Sequence, residues 1–549
     1  MDLQSLLVRL PNAHHWRFLP GYHLAGTPHQ NRLIVVTSQA VFVIGHQTRT
    51  QVAATALDLA DFHTGCRGSP VLPILVTSAA RACTMPMPLP GAADVQETTA
   101  ALLPGLVQEI TTRFPACAIE IDRWADAPYR PVPGLMAAAC LLYARHDVLA
   151  LAQGAAGPDG VRRTSRTIAA AVQDALSRGQ KRLVFVTGAP GAGKTLCGLD
   201  LAFTPGLGAT YLTGNPTLVH VLRAALLRDA VARGRNSRAA GQQLDAVIQA
   251  LPAFRDATLA SPAAPAPRVV VIDEAQRCWT GTYAVSKTQN AIRPLTKSEP
   301  LHVLDAMARH NGAAVIICLL GGGQEIHAGE GGLAAWSEAL AARPDWDALA
   351  PPGALNHPDC LQRLATNPRL HLDPDLSLAT PIRALHRPRE GAWVDAVLAG
   401  DASAARAIAA QHGAPRLTRC LHTLRRVLRQ AGPSCGLLAS SGARRLRAEG
   451  LGSVLAHQDA DAVQHWFLTQ WPDIRSAAAL ETVATEFSVQ GLELRYYVAT
   501  ATTGTYLLRC PRSTFSHGKR QRSQWPTPPS PRDLGRIGRD ARPRASACD

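Results

Sequence analysis

Short apolar runs recur through the middle of the chain and alternate with longer segments of helical periodicity. The runs at residues 183–186, 209–212, 269–272 and 313–320 contain few polar side chains. Strands that are buried on both faces of a parallel sheet have this pattern. The alternation of such strands with helices predicts a doubly wound α/β domain.

A smaller α/β region precedes this domain. Apolar runs predict strands at residues 33–36, 41–44 and 71–77, and helical periodicity predicts helices at residues 93–113 and 134–145.

A second α/β stretch follows the middle domain and extends from about residue 380 to residue 501. Strands are predicted there at residues 435–439 and 496–498. The last forty or so residues have no hydrophobic periodicity and are rich in Pro and Arg, which predicts a disordered tail.

One strand end in the middle domain carries a phosphate-binding motif. Residues 188–195, GAPGAGKT, match G-x-x-x-x-G-K-[ST] directly between a predicted strand and a predicted helix. Backbone N–H groups turn inward in such a loop and form an anion site. We expect Lys194 to reach the β- and γ-phosphates and the Thr195 hydroxyl to bind Mg²⁺, with ATP or GTP as the nucleotide. The predicted nucleotide-binding residues are Gly188, Ala189, Pro190, Gly191, Ala192, Gly193, Lys194 and Thr195.

The strand at residues 269–272 ends in an acidic pair, Asp273 and Glu274. In a parallel sheet this pair would lie at the same edge as the phosphate-binding loop. We therefore expect Asp273 to take part in binding Mg²⁺ and Glu274 to orient and deprotonate a hydrolytic water.

Composition excludes several other classes of protein. The hydrophobic fraction of 46% is typical of globular domains, and no apolar run is long enough to span a bilayer. Because the N-terminus also lacks a signal-peptide pattern, we expect a cytoplasmic protein without a membrane partner. The 12 cysteines have neither zinc-ligand nor disulfide-framework spacing, so we expect reduced thiols, including a buried Cys197.

The chain is basic, with 56 Lys and Arg against 41 Asp and Glu, a formal net charge of +15. Residues 508–549 hold ten basic and three acidic residues, so +7 of this charge lies in the tail. A basic balance is compatible with a polyanionic partner but is weak evidence alone.

Three further stretches follow the order of superfamily 1 helicase motifs: YLTGN at residues 211–215, LLGGGQEI at 319–326 and TEFSVQGLE at 485–493. Together with DEAQR, IRALHR and LLASSGARRLR, they make the chain resemble the bacterial Schlafen-type DNA/RNA helicase family, most firmly over residues 181–498. The resemblance implies two RecA-like lobes, ATP and Mg²⁺ as cofactors, and single-stranded DNA or RNA as partner. It also implies that Gln324 contacts the γ-phosphate and that Arg383 is a γ-phosphate arginine of the second lobe, although a surface arginine is an equally good interpretation of Arg383.

The resemblance also divides the chain into four parts. These are a degenerate nuclease-like domain of the PD-(D/E)xK type at residues 1–145, a first RecA-like lobe at 146–375, an incomplete second lobe at 376–507 and a disordered basic tail at 508–549.

Two departures from the family are visible. Where a nuclease would place its metal-binding acids and lysine, this chain has Ile34, Gly45, His46 and Gln47, so we expect no metal-dependent cleavage. After residue 493 no stretch matches the arginine-bearing motif VI, which leads us to expect a truncated second lobe. An arginine finger accelerates hydrolysis by about 10³ to 10⁵.

The sequence thus predicts an ATP-binding and ATP-hydrolysing protein of DNA/RNA helicase type. Its predicted catalytic residues are Lys194, Glu274, Gln324 and Arg383, and its predicted metal ligands are Thr195 and Asp273. Two alternatives stay open: an ATP-dependent switch that binds a protein partner, and an inactive helicase remnant. Protein partners themselves are not predictable from these patterns.

Overall fold

The computed structural model of the 549-residue chain describes residues 3–22, 32–46, 48–66, 69–78, 95–113, 116, 119–127, 135–145, 158–188, 192–321, 331–356, 369–378, 393, 396, 400–412, 416–418, 421–431, 435–439, 451, 459–485, 488–489, 492, 496–500 and 506–509.

The N-terminal region forms a five-stranded sheet in the order β1-β2-β3-β4-β5. Its strands are β1 (Arg17–Pro20), β2 (Arg32–Val36), β3 (Val41–Gly45), β4 (Val71–Val76) and β5 (Gln96–Thr98). Its helices are α1 (Leu3–Leu7), α2 (Arg49–Phe62) and α3 (Leu103–Arg113). The β1, β2 and β3 pairings are antiparallel, whereas β4 lies parallel to both β3 and β5.

One prediction for this region is wrong. The segment expected to be a single helix at residues 93–113 begins with β5, and α3 starts only at Leu103. Tertiary pairing overrides the local pattern here, because β5 adds to the exposed edge of β4 with Glu97 aligned to Leu75.

The middle domain is built on an eight-stranded sheet whose pairings are all parallel. Its strands are β6 (Lys181–Gly188), β7 (Ala209–Thr213), β8 (Ile248–Ala250), β9 (Val269–Asp273), β10 (Ala314–Gly321), β11 (Trp346–Ala350), β12 (Leu370–Leu372) and β13 (Ser377–Leu378). The order is β12-β11-β6-β10-β9-β7-β8, and β13 pairs with the end of β6. The predicted parallel α/β fold is therefore confirmed, with β10 between the strand of the phosphate-binding motif and the acidic strand.

Helices cover both faces of this sheet. They are α4 (Leu135–Arg145), α5 (Pro158–Arg178), α6 (Lys194–Phe203), α7 (Pro216–Ala232), α8 (Ser237–Val247), α9 (Leu251–Ala260), α10 (Gly281–Thr288), α11 (Glu299–Ala308) and α12 (Gly332–Ala341). Alternate side chains of β6 enter different cores: Phe185 packs with α9, α11 and α12, whereas Val186 packs with α5 and α6. Burial on both faces explains the apolar runs that mark these strands in the sequence.

A third sheet follows in the order β14-β18-β17-β15-β16. Its strands are β14 (Arg416–Thr418), β15 (Cys435–Ala439), β16 (Val483–Thr485), β17 (Tyr496–Thr500) and β18 (Tyr506–Arg509), and the nearby helices are α13 (Ala402–His412), α14 (Leu421–Ala431) and α15 (Ala460–Leu468). The strands predicted at residues 435–439 and 496–498 are confirmed. β18 extends to Arg509, two residues past the end predicted for the second lobe, and the rest of the predicted tail lies outside the described residues.

Short 3-10 turns complete the described elements, at Ala13–His15, Thr64–Cys66, Trp124–Asp126, Ala275–Arg277, Pro352–Asn356, Pro374–Leu376 and Ala477–Ala479.

The three sheets share apolar cores. Leu437 and Val483 of the third sheet pack in one cluster with Ile34 of the N-terminal sheet. On the other side, Trp466 of α15 packs in one cluster with Val221 of α7. Across the described ranges, no helix combines the length and the apolar character needed to cross a membrane.

Candidate nucleotide-binding site

The candidate site begins where β6 passes into α6. Gly193, at the N-cap of α6, has φ 93°, a left-handed conformation that favours glycine. Lys194 is buried and its Nζ donates a hydrogen bond to the carbonyl oxygen of Gly188, 2.8 Å away. The lysine side chain therefore folds back toward the start of the loop, as expected of a phosphate-binding lysine. Ala192 is buried, whereas Ala189, Pro190 and Gly191 lie outside the described residues.

Gly188 is required for a close backbone approach. β13 pairs with β6 there, and a Cβ on Gly188 would lie 2.9 Å from Cβ of Leu378 and 3.1 Å from its carbonyl oxygen. β13, which precedes the third sheet in the chain, is thus paired with β6, the strand that leads into the loop.

A second glycine brings α6 close to the sheet. A Cβ on Gly198 would lie 2.8 Å from Cδ1 of Leu319 and 3.1 Å from Cε2 of Tyr211. Because glycine has no side chain, α6 can lie against β7, β9 and β10 at this distance. The first turn of α6, with Thr195, is thereby brought to the end of β9.

Thr195 and Asp273 are in direct contact, although β10 lies between β6, which precedes the helix of Thr195, and β9, which ends at Asp273. The Thr195 hydroxyl donates to Oδ2 of Asp273 at 2.8 Å, and the Tyr211 hydroxyl donates to the same oxygen at 2.5 Å. Oδ1 of Asp273 accepts from the backbone N–H of Glu274 at 3.0 Å. Three donors therefore hold one buried carboxylate in a defined orientation.

The electrostatics of this carboxylate favour a bound cation. Burial raises the pKa of Asp273, and the neighbouring Glu274 raises it further, whereas the Tyr211 and Thr195 hydroxyls and Lys194 lower it. The pKa of Tyr211 is raised well above its ordinary value, first by burial and then by Asp273. Hard oxygen donors such as a threonine hydroxyl and a carboxylate are suited to Mg²⁺, which typically takes one or two protein oxygens and retains water. The two predicted metal ligands thus fit that ion.

Glu274 occupies an unusual backbone position. Its φ of 54° and ψ of 42° are left-handed, which costs about 1–2 kcal/mol for a residue with a Cβ. Its carboxylate accepts a hydrogen bond from Nε2 of Gln276 and lies 3.6 Å from Nε of Arg277. Gln276 in turn accepts at Oε1 from the backbone N–H of Gly321, at 3.0 Å. Gln276 therefore connects the predicted water-activating residue to the end of β10.

The structure thus brings together Lys194, Thr195, Asp273 and Glu274. Gln324 and Arg383 lie outside the described residues, so their roles stay predictions. In the described part of the chain, no cluster of three or more His, Cys, Asp or Glu side chains is arranged to hold a metal.

Two residues of the site were not identified from the sequence. Tyr211 begins the YLTGN stretch, which was identified from the sequence only by its place in the order of helicase motifs, and its side chain is completely buried against the acidic strand. Within the same stretch Thr213 is also buried, and Asn215 caps α7 by accepting from the backbone N–H of Thr217 at 3.0 Å. Gln276 was visible only as part of DEAQR. A polar group inside an apolar strand was the available signal for Tyr211.

The positions compared with a nuclease centre are structural. Ile34 is fully buried in the core, Gly45 ends β3, and Nδ1 of His46 lies 3.2 Å from the carbonyl oxygen of Val76. Gln47 lies outside the described residues.

Six cysteines lie within the described residues, and each is a free thiol there: Cys66, Cys140, Cys197, Cys278, Cys318 and Cys435. Burial raises the pKa of the Cys197 thiol to about 12, so this neighbour of the loop is protonated.

A comparison with protein families identifies the family of this chain. The model for Schlafen group 3, DNA/RNA helicase domain, matches residues 181–501, which contain the whole candidate site and most of the third sheet. A comparison with curated proteins found no match.

Proposed function

The chain belongs to the Schlafen group 3 DNA/RNA helicase domain family, and from this premise we propose that it binds ATP with Mg²⁺ and hydrolyses it while bound to single-stranded nucleic acid. The observation that carries the proposal is the 2.8 Å hydrogen bond between Thr195 and Asp273. It joins the phosphate-binding motif to the acidic strand, the arrangement that Mg²⁺-nucleotide hydrolysis requires.

The residues of the loop divide the binding of the nucleotide among them. Lys194 supplies a positive charge to the phosphates, and the N-terminus of α6 supplies oriented N–H groups. Thr195 and Asp273 would hold Mg²⁺, which neutralises phosphate charge and aligns the phosphate oxygens when it is bound.

Glu274 is the best-placed general base. Its carboxylate is oriented by Gln276 and Arg277 on one side of the metal-binding pair. A carboxylate fixed in this way can orient a water and accept its proton. Gln276 also contacts Gly321, which directly precedes the residues that include Gln324. We propose that this contact links water activation to the segment predicted to sense the γ-phosphate.

We propose no nuclease activity for the N-terminal sheet. Ile34, where the resemblance requires an acid, is part of a packed apolar cluster and is not accessible to a metal ion. This sheet instead supports the third sheet, with which it shares that core.

The first test is nucleotide affinity. Lys194→Ala should abolish measurable binding of a fluorescent ATP analogue, because the phosphates lose their main counter-charge. Lys181→Ala is a matched control. Lys181 is at the start of β6, the strand that leads into the loop, and its Nζ pairs with Asp345 at 3.4 Å. Equal affinity of the Lys194→Ala variant and the parent protein would refute nucleotide binding at this site.

The second test separates a helicase-type ATPase from an ATP-dependent switch. ATP hydrolysis should increase when single-stranded DNA or RNA is added to the full chain. Turnover that is unaffected by either nucleic acid would favour the protein-binding switch.

A further inference from the structure

The side chain of Tyr211 carries a buried hydroxyl into the candidate metal site. The side chain is fully buried, and its ring lies against Gly198 of α6. Its hydroxyl, however, donates to Oδ2 of Asp273 at 2.5 Å, inside the candidate metal site. A polar group in a closely packed apolar interior requires a hydrogen-bond partner, and for the Tyr211 hydroxyl this partner is the Asp273 carboxylate.

We infer that Tyr211 is a positioning residue for Mg²⁺, which acts by holding the Asp273 carboxylate toward Thr195. This inference rests on the proposed nucleotide-binding function. It assigns to the third strand of the site, β7, a role beyond the general arrangement of phosphate-binding loop and acidic strand.

The geometry supports this role in two ways. First, Thr195 and Tyr211 approach the same oxygen of Asp273 from different elements, α6 and β7, and so fix the rotation of the carboxylate about its side-chain bond. Second, the Thr195 hydroxyl has two tasks, because it is expected to bind Mg²⁺ while it donates to Asp273. The Tyr211 hydroxyl, which also interacts with the Thr195 side chain, is not an expected metal ligand and can hold the carboxylate whether or not the metal is present.

The position of Tyr211 is set by strand pairing and burial. Tyr211 aligns with Val271 of β9, two residues before Asp273, within a parallel pair that is buried along its length. The backbone that carries this hydroxyl is therefore held beside the strand of Asp273.

The experiment compares nucleotide affinity with and without Mg²⁺ in the full chain. The measured quantity is the ratio of the dissociation constant of a fluorescent ATP analogue in EDTA to that in saturating Mg²⁺. Tyr211→Phe should reduce this ratio about tenfold, as expected for loss of a hydrogen bond to a charged group. Affinity in EDTA should be unchanged, because Lys194 and the loop backbone provide it.

Tyr143→Phe is the matched control. Tyr143 is a buried tyrosine in the same apolar cluster as Tyr211, but its hydroxyl donates to Oε1 of Gln243 at 3.3 Å and not to a residue of the metal site. This variant should keep the ratio of the parent protein. Equal melting temperatures of the two variants would establish that the ring packing is retained.

A double-mutant comparison makes the assignment specific. In an Asp273→Asn background, Tyr211→Phe should cause no further fall in the ratio, because the proposed effect of the hydroxyl on Mg²⁺ is exerted through the carboxylate. The inference is overturned if Tyr211→Phe leaves the ratio unchanged, or if it lowers both affinities equally. If Lys194→Ala binds nucleotide like the parent protein, it is instead the proposed function that fails.

Discussion

The N-terminal sheet and the central sheet are buried alike but end their strands differently. β2 and β3 are buried at every position, as is β9. At the end of β9 lies a carboxylate held by three donors, whereas β3 ends in a glycine and Ile34 lies in an apolar cluster. Burial therefore identifies strands in both sheets, but a chemical site needs polar groups that converge at one edge.

The elements that pack against the two sheets also differ. In the central sheet, α6 approaches closely at Gly198 and delivers a hydroxyl to the acidic strand. The N-terminal sheet instead packs apolar side chains against those of the third sheet in one cluster. The central sheet thus places the Asp273 carboxylate at its edge, whereas the N-terminal sheet packs against the third sheet. The following experiments test this division.

The largest effect is expected at the acidic edge of the central sheet. Glu274→Gln should leave ATP affinity nearly unchanged and reduce turnover by about 10² to 10⁴, because the amide cannot accept the proton of water. Single-turnover hydrolysis and nucleotide titration measure the two quantities separately. Glu338→Gln, on the surface of α12, serves as control. A variant that hydrolyses ATP at the parental rate would exclude Glu274 as the base.

A core substitution in the N-terminal sheet should have the opposite profile. Ile34→Ala should lower the free energy of unfolding by about 2–4 kcal/mol, because it leaves a cavity in a packed cluster. Nucleotide affinity at a temperature below the transition should stay at the parental value. Denaturant titration followed by nucleotide binding measures both, with Val8→Ala, a half-exposed position, as control. Loss of affinity in the folded Ile34→Ala protein would show that the two sheets are functionally coupled.

The smallest expected effect is on the pH dependence of stability. The N-terminal region and the middle domain each contain a buried histidine that contributes to it. Burial lowers the pKa of His63 in the N-terminal region and of His302 in α11 to about 4, below the ordinary value of 6.5. The folded state therefore favours the neutral ring, so stability is complete above about pH 6.5 and is lost as the pH falls through 4. For His302, the nearby Lys297 and Arg309 add to the effect and Asp305 opposes it.

Replacing either histidine should reduce the pH dependence of stability in the region that contains it. His302→Gln can keep a hydrogen bond to Thr258, which lies 2.9 Å from Nε2, and should reduce the loss of stability between pH 7 and pH 5. His63→Gln should do the same for the N-terminal region, where the His63 ring stacks on Trp124 at 3.9 Å. Hydrogen exchange at the two pH values distinguishes the regions, with the exposed His371→Gln as control. An unchanged pH dependence in both variants would place the acid sensitivity elsewhere.

The sequence by itself determined four of the eight strands of the central sheet and the chemistry at two of their ends. Apolar runs that are buried on both faces are distinctive, and the phosphate-binding motif is a local backbone geometry that a short sequence can specify. For the same reason, Lys194, Thr195, Asp273 and Glu274 were predictable and are found together. The strands at residues 435–439 and 496–498 were predictable from the same pattern.

Only the tertiary structure decided which other groups join the site. Tyr211 lies 62 residues from Asp273 in sequence, and its side-chain direction depends on the pairing of β7 with β9 and on the packing of α6. Gln276 reaches Gly321 across 45 residues in the same way. β5 was mistaken for the start of a helix, because a three-residue edge strand is stabilised by its neighbour and hardly by its own residues. Local patterns specify local geometry, whereas contacts between distant strands depend on how the whole sheet is assembled.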